Sequence, residues 1–165
     1  MLKTNRLIIK EIEEKDEAEM LEILSNEEVK KTYMIPDYED LNGYKKLFNT
    51  LKNLSINPDK FVRGIFLNDT LIGFINDVEI VEKSMELGYV ISPKHKGNGY
   101  MTEALTSSIN YLFEKGYDEI ICGAFDFNIA SQRVMQKAGM VKQEKTAPIT
   151  YKNNVYNCVF YSKTR

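Results

Sequence analysis

The spacing of apolar residues in this chain switches repeatedly between a strand period and a helix period, and each switch marks an element. Residues 7–12 form a short apolar run of strand character. Asp16 and Glu19 make a D-x-x-E capping pattern ahead of a helix through Leu21 and Leu24. Residues 26–33 read as a second short helix and residues 34–38 as a loop. Leu41, Tyr44, Leu47, Phe48 and Leu51 restore helical spacing despite Gly43, until Asn57-Pro58 ends it. The chain then turns to sheet. Residues 61–67 and 71–80 flank Asn68-Asp69-Thr70, a hairpin signal, and Glu82-Lys83-Ser84 makes the next turn. Met85, Leu87, Tyr89 and Ile91 alternate with Glu86, Gly88 and Val90, as in a half-buried strand, and Pro93 stops the run near Ser92. Met101, Ala104, Leu105, Ile109, Leu112 and Phe113 fall on one helical stripe closed by Gly116. Residues 119–124 form another strand. Asn128 caps a short helix to Ala138, with Gly139 after it. Residues 140–145 and 155–161 are strands across the polar turn Lys152-Asn153-Asn154. No repeat, linker or low-complexity tract intervenes, so this order predicts one mixed α/β (α+β) domain over residues 1–165.

Composition narrows the function. A length of 165 residues suits one domain with a sizeable core. Hydrophobic content of 43% and charged content of 28% are those of a globular protein in water. A net charge of −2 gives no general attraction to nucleic acid or to an anionic membrane. No apolar run is long enough to span a bilayer and the start carries no signal-peptide pattern, so a cytoplasmic protein is expected. Cys122 and Cys158 sit in apolar strand-like runs, as buried thiols of a reducing compartment do. His95 is the only histidine and no Cys/His cluster exists, which argues against a zinc site or a histidine triad and predicts no metal.

The chemistry concentrates in residues 86–105, read as strand, turn and helix. Gly97 and Gly99 let the backbone turn sharply just before a helix start, where unpaired N–H groups and the helix dipole favour an anion. A dinucleotide fingerprint would need a third glycine at Thr102, and a P-loop would need Gly-Lys-Ser/Thr after a longer gap. Neither fits. Lys96-Gly97-Asn98-Gly99-Tyr100-Met101 instead resembles the pyrophosphate loop of the GCN5-related N-acetyltransferases (GNAT), written Q/R-x-x-G-x-G/A. Lys96 departs by keeping the charge without the planar fork, and Met101 by adding bulk. A second segment, Asn128-Ile129-Ala130-Ser131 through Lys137-Ala138-Gly139-Met140, is similar to the N-x-x-S…K-x-G-F stretch of the same superfamily. It most resembles the ribosomal-protein N-terminal acetyltransferase branch, as do Leu87-Gly88-Tyr89-Val90-Ile91 and Asn5-Arg6-Leu7.

The resemblance implies a GNAT fold, a mixed sheet of about seven strands flanked by helices. It implies acetyl transfer from acetyl-CoA to a primary amine, a peptide α-amine or a small molecule, by direct attack in a ternary complex. The partners would be acetyl-CoA and that amine, with no nucleic acid and no membrane; a homodimer is one open option. Backbone from Gly97 through Thr102, with Lys96 at its head, would hold the pyrophosphate. Backbone along Tyr89, Val90 and Ile91 would polarise the thioester carbonyl, Asn128 would meet the pantetheine arm, and Lys94 and His95 could reach phosphates. At pH 7, deprotonating an α-amine costs roughly 1.2 kcal/mol against 4.6 for a lysine amine, so a modest base suffices. Glu86 is the candidate base, with Asp77 and Glu79 as substitutes. The tyrosine acid of many relatives falls at Met135, which leaves Ser131 as the nearest hydroxyl. Each assignment has a plain structural counterpart: an edge carboxylate for Glu86, a first-turn hydroxyl for Ser131, a helix cap for Asn128. Tyr33, Tyr38, Tyr151 and Tyr156 could line an acceptor pocket or simply pack. The alternative function is a non-catalytic acyl-CoA sensor of the same fold.

Overall fold

The computed structural model describes residues 1–165. In chain order the elements are β1 (Leu2–Lys3), β2 (Ile8–Lys10), α1 (Glu17–Leu24), α2 (Glu27–Lys30), α3 (Leu41–Ser55), β3 (Val62–Leu67), β4 (Thr70–Val81), β5 (Ser84–Ile91), α4 (Tyr100–Glu114), β6 (Glu119–Phe125), α5 (Ile129–Lys137), β7 (Val141–Tyr151) and β8 (Asn154–Thr164). The sheet has eight strands in the order β1-β2-β3-β4-β5-β6-β8-β7. The expectation of about seven is therefore short by one: β1 is too brief to leave a period in the sequence. β5 and β6 run parallel, joined by the α4 crossover that such a pair requires, and β6–β8 and β7–β8 are antiparallel.

By its internal packing the chain divides into two compact units. The first comprises Met1–Asn76 and Tyr89–Tyr100. Its core gathers Met20 and Leu24 of α1, Phe48 and Leu51 of α3, Phe66, Phe74 and Val90. Asn26 caps α2 by accepting from the N–H groups of Glu28 and Val29, and Asp40 caps α3 through Asn42 N–H at 2.8 Å. Gly43 belongs inside α3 for a packing reason. A Cβ there would lie 2.2 Å from Tyr38 Cγ. The Asp16–Glu19 capping box does not form. Asp16 is buried, and its carboxylate turns back to accept Glu13 N–H at 2.8 Å, so a short 3-10 turn precedes α1. Gly73 of β4 is forced by its neighbour on β5, since a Cβ would sit 2.3 Å from the Val90 carbonyl oxygen. Ser92 N–H donates to Ile72 O at 2.7 Å, which pins the end of β5.

The second unit comprises Asp77–Gly88 and Met101–Arg165. Met101, Ala104, Leu105, Ser108, Ile109 and Leu112 form the buried face of α4, the stripe that the spacing predicts. Gly116 and Gly139 take left-handed φ of 100° and 81° just past α4 and α5, where only glycine is unstrained. α5 covers one face of the C-terminal strands: Tyr161 Oη donates to Gln132 Oε1 at 3.2 Å and Lys163 Nζ to Ala138 O at 3.1 Å. A register shift between Lys142 and Thr146 bends β7. Cys122 and Cys158 are buried free thiols, as expected.

Candidate active site

In the first unit the glycine loop follows the end of β5 and a 3-10 turn at Pro93–His95. Gly97 and Gly99 have φ of 79° and 77°, the left-handed region. Lys96 through Gly99 are exposed, and nothing lies within 4 Å of where a Gly97 Cβ would be. The chain then enters α4 at Tyr100, whose first-turn N–H groups have no intrahelical acceptor. That combination suits a diphosphate.

Arg6 braces this loop. Its guanidinium donates to Asn98 O at 2.9 Å and lies 4.5 Å over the Tyr100 ring centroid. The sequence contains Arg6 but no sign of this contact, which joins residues 92 positions apart. The two loop lysines are paired with acids of the N-terminal helices: Lys96 Nζ meets Glu28 Oε1 at 2.5 Å and Lys94 meets Glu22. The Asn98 side chain donates to the Lys96 and His95 carbonyls, closing the loop on itself. Tyr89 and Ile91 are half-buried beside buried Val90.

Met101 is 4% exposed, its side chain turned into the protein on the apolar face of α4. The bulk that sets it apart from the family's small residue is thus spent on packing.

The second unit holds the expected proton-handling residues. Glu86 is half-buried on β5, paired in register with Ile121. Burial pushes its carboxyl above the ordinary range, Glu79 adds to the shift, and Lys145 works against both. Glu79 is exposed and Asp77 half-buried on β4. The Cys122 thiol is pushed up, first by burial and then by Glu86; Cys158 is raised likewise, with Asp126 a smaller contributor. Asn128 caps α5 by accepting from Ser131 N–H at 3.2 Å. The capping role is therefore met, and Ser131 stands half-buried in the first turn. Met135 is fully buried, a core side chain where the family's tyrosine would stand. The β5–β6 register runs from Ser84↔Glu119 to Leu87↔Cys122, and each strand continues beyond it, to Ile91 and to Phe125. No group of three or more Asp, Glu, His or Cys could hold a metal ion, and no helix is long and apolar enough to cross a membrane.

Residues 6–141 match the family model described as an acetyltransferase (GNAT) domain. An uncharacterized N-acetyltransferase of Bacillus subtilis (strain 168), YoaA, is 30% identical over 170 residues, covering 96% of each chain. The crystal structure of a GNAT-family acetyltransferase from Bacillus anthracis superposes with a TM-score of 0.84 at 27% identity, covering 98% of this chain and 96% of that one. The same fold is shared, at 13% identity and a TM-score of 0.82 over 98% and 95% of the chains, by the ribosomal L7/L12 α-N-protein acetyltransferase RimL in complex with coenzyme A. The chain belongs to the GNAT acetyltransferase family and is an N-acetyltransferase.

Proposed function

We propose that the protein transfers the acetyl group of acetyl-CoA to a primary amine by direct attack within a ternary complex. The observation that carries this reading is the exposed loop at Gly97 and Gly99, two left-handed glycines opening α4. Backbone N–H groups from Gly97 to Thr102 take the pyrophosphate, with Lys96 exchanging its Glu28 partner for phosphate. Backbone of Tyr89, Val90 and Ile91 hydrogen-bonds the acyl and pantetheine groups, and Asn128 adds a side-chain contact.

The amine must lose its proton to attack. Glu86 receives it, directly or through one water, and its raised pKa brings it closer to an α-amine of about 7.7–8.0. The nitrogen–carbon bond forms, the carbon–sulfur bond breaks, and the departing thiolate takes a solvent proton relayed through the Ser131 hydroxyl, which gives up its own proton as it receives one from water. A thiolate with a thiol pKa near 8.5 is a fair leaving group, so Ser131 has the smaller task. That ordering favours an α-amine acceptor over a lysine side chain. The acceptor is a peptide N-terminus or a small amine, met in the cytoplasm, with the chain working as one domain.

The test is CoA-thiol release with a panel of peptide α-amines, polyamines and amino-acid analogues, the acetylated product identified by mass. Release above the hydrolytic background on any amine supports the reading. Saturable CoA binding without release on every amine replaces it with an acyl-CoA sensor, and failure to bind CoA removes the site itself.

A further inference from the structure

Lys145 of β7 takes its place from strand register. Lys142 pairs with Tyr161 and Thr146 with Val159, so Gln143, Glu144 and Lys145 stand opposite Phe160 alone. Three residues against one make a bulge, and a bulge re-aims the side chains it carries. β7 is the outer strand of the sheet, where a lysine ordinarily extends into water. Here the side chain turns back over its own sheet instead. Its ammonium lies 5.5 Å from the centroid of the Phe160 ring, a cation–π contact.

Phe160 carries that ammonium toward Glu86. Residues paired in register project to the same face, and alternate residues along a strand share it. Glu86 pairs with Ile121, and Gly123, two residues further along β6, pairs with Phe160. Gly123 has no side chain, and the Phe160 ring leans into the space: a Cβ there would meet it at 3.0 Å. The ring is buried, Lys145 is exposed, and Glu86 is half-buried on the same face.

Charged and titratable groups reach Glu86 from each strand around it. Asp77 and Glu79 lie on β4; burial and Glu79 push the Glu86 carboxyl up, and Lys145 pulls it down. The thiols of Cys122 on β6 and Cys158 on β8 are themselves pushed up, first by burial and then by Glu86, so both are uncharged at neutral pH. Glu144, beside Lys145 in the bulge, is exposed. Lys145 is the cation of this group.

We propose that Lys145 is a positioning residue for acetyl transfer, a positive charge held on Phe160 by the β7 bulge that favours the ionised form of Glu86, the form able to accept the proton of the amine. This rests on the reading of Glu86 as the base. A lysine that only shields the ring would leave Glu86 unmoved.

The experiment titrates Glu86 directly, by NMR of protein carrying carbon-13 in its glutamate carboxyls, the Glu86 signal being the one missing from Glu86→Gln. In Lys145→Met the midpoint should rise by about half a pH unit, the size expected of opposite charges several ångströms apart in largely aqueous surroundings. Lys145→Arg should restore the parent's midpoint, and Glu79→Gln should lower it. Shifts of opposite sign from the two substitutions are not what a loosened fold produces. The acid limb of kcat/KM should move with the NMR midpoint in each variant. A Glu86 midpoint in Lys145→Met equal to the parent's would overturn the proposal and leave Glu86 as the base. A midpoint that moves while the acid limb stays would overturn the role in acetyl transfer together with the reading of Glu86 on which it rests.

Discussion

Arg6 holds the glycine loop by two contacts that a lysine cannot both make, the N–H bond to Asn98 O at 2.9 Å and the flat stack on Tyr100 at 4.5 Å. Arg6→Lys, which keeps only one of the two contacts, should therefore weaken CoA binding about fivefold, a loss of roughly 1 kcal/mol, with little loss of fold. Calorimetric titration with CoA checks this, and an unchanged Kd would make Arg6 a bystander. Glu86 carries a different kind of consequence. A carboxyl whose folded pKa is raised binds its proton longer in the native state, so its charge lowers stability as pH climbs from the ordinary 4.5 through the shifted value. Glu86→Gln should thus be no less stable than the parent at pH 7, yet slower by about 10²-fold or more, recovering at high pH where the amine deprotonates itself. The parent's acid limb should lie above the usual carboxylate range and vanish in the variant. A variant with the parent's pH–rate profile would send the search to Asp77 and Glu79.

Among the helices, α4 combines the strongest sequence signal with one internal inconsistency. Its stripe from Met101 to Leu112 buries apolar groups throughout, except that Ser108 is fully buried with its hydroxyl unpaired. An unmet buried hydroxyl costs about 1–3 kcal/mol, and alanine is the better helix former. Ser108→Ala should raise the unfolding free energy by about 1 kcal/mol, read as a higher urea midpoint at unchanged slope. A lower midpoint would mean that the hydroxyl has a partner after all. At the start of the same helix, Gly99 has the Arg6 guanidinium 3.5 Å from its absent Cβ, so the cost of a side chain there comes from its φ of 77°.

For the protein taken entire, ligand linkage ties loop to stability. CoA at about a hundred times its Kd adds about 2.7 kcal/mol, which for a chain of this length raises Tm by roughly 5–10 °C. In Gly99→Val, folded but strained at the loop, most of that rise should be lost at the same CoA concentration. A full shift in the variant would place the cofactor elsewhere.

Much of this was legible in the chain because it depends on neighbours a few residues away. The stripe of α4, the Asn128 cap, the left-handed glycines at 97, 99, 116 and 139 and the polar turns at Asn68-Asp69 and Lys152-Asn153, all with positive φ, follow from local sterics and periodicity. Other features needed the folded backbone. Gly43 looked like a flaw in a helix until Tyr38 was seen to occupy its side-chain space, and Gly73 was silent until the Val90 carbonyl lay against it. Asp16 formed a cap with the wrong partner because its burial turned it toward Glu13. Met101 and Met135 read as departures from a family pattern, whereas packing makes both of them core. The Arg6 brace and the Lys96–Glu28 pair join segments far apart in the chain, and the pairing of Glu86 with Ile121 depends on strand register. Register is set by which faces bury together across many tens of residues, a long-range packing choice that no local period encodes.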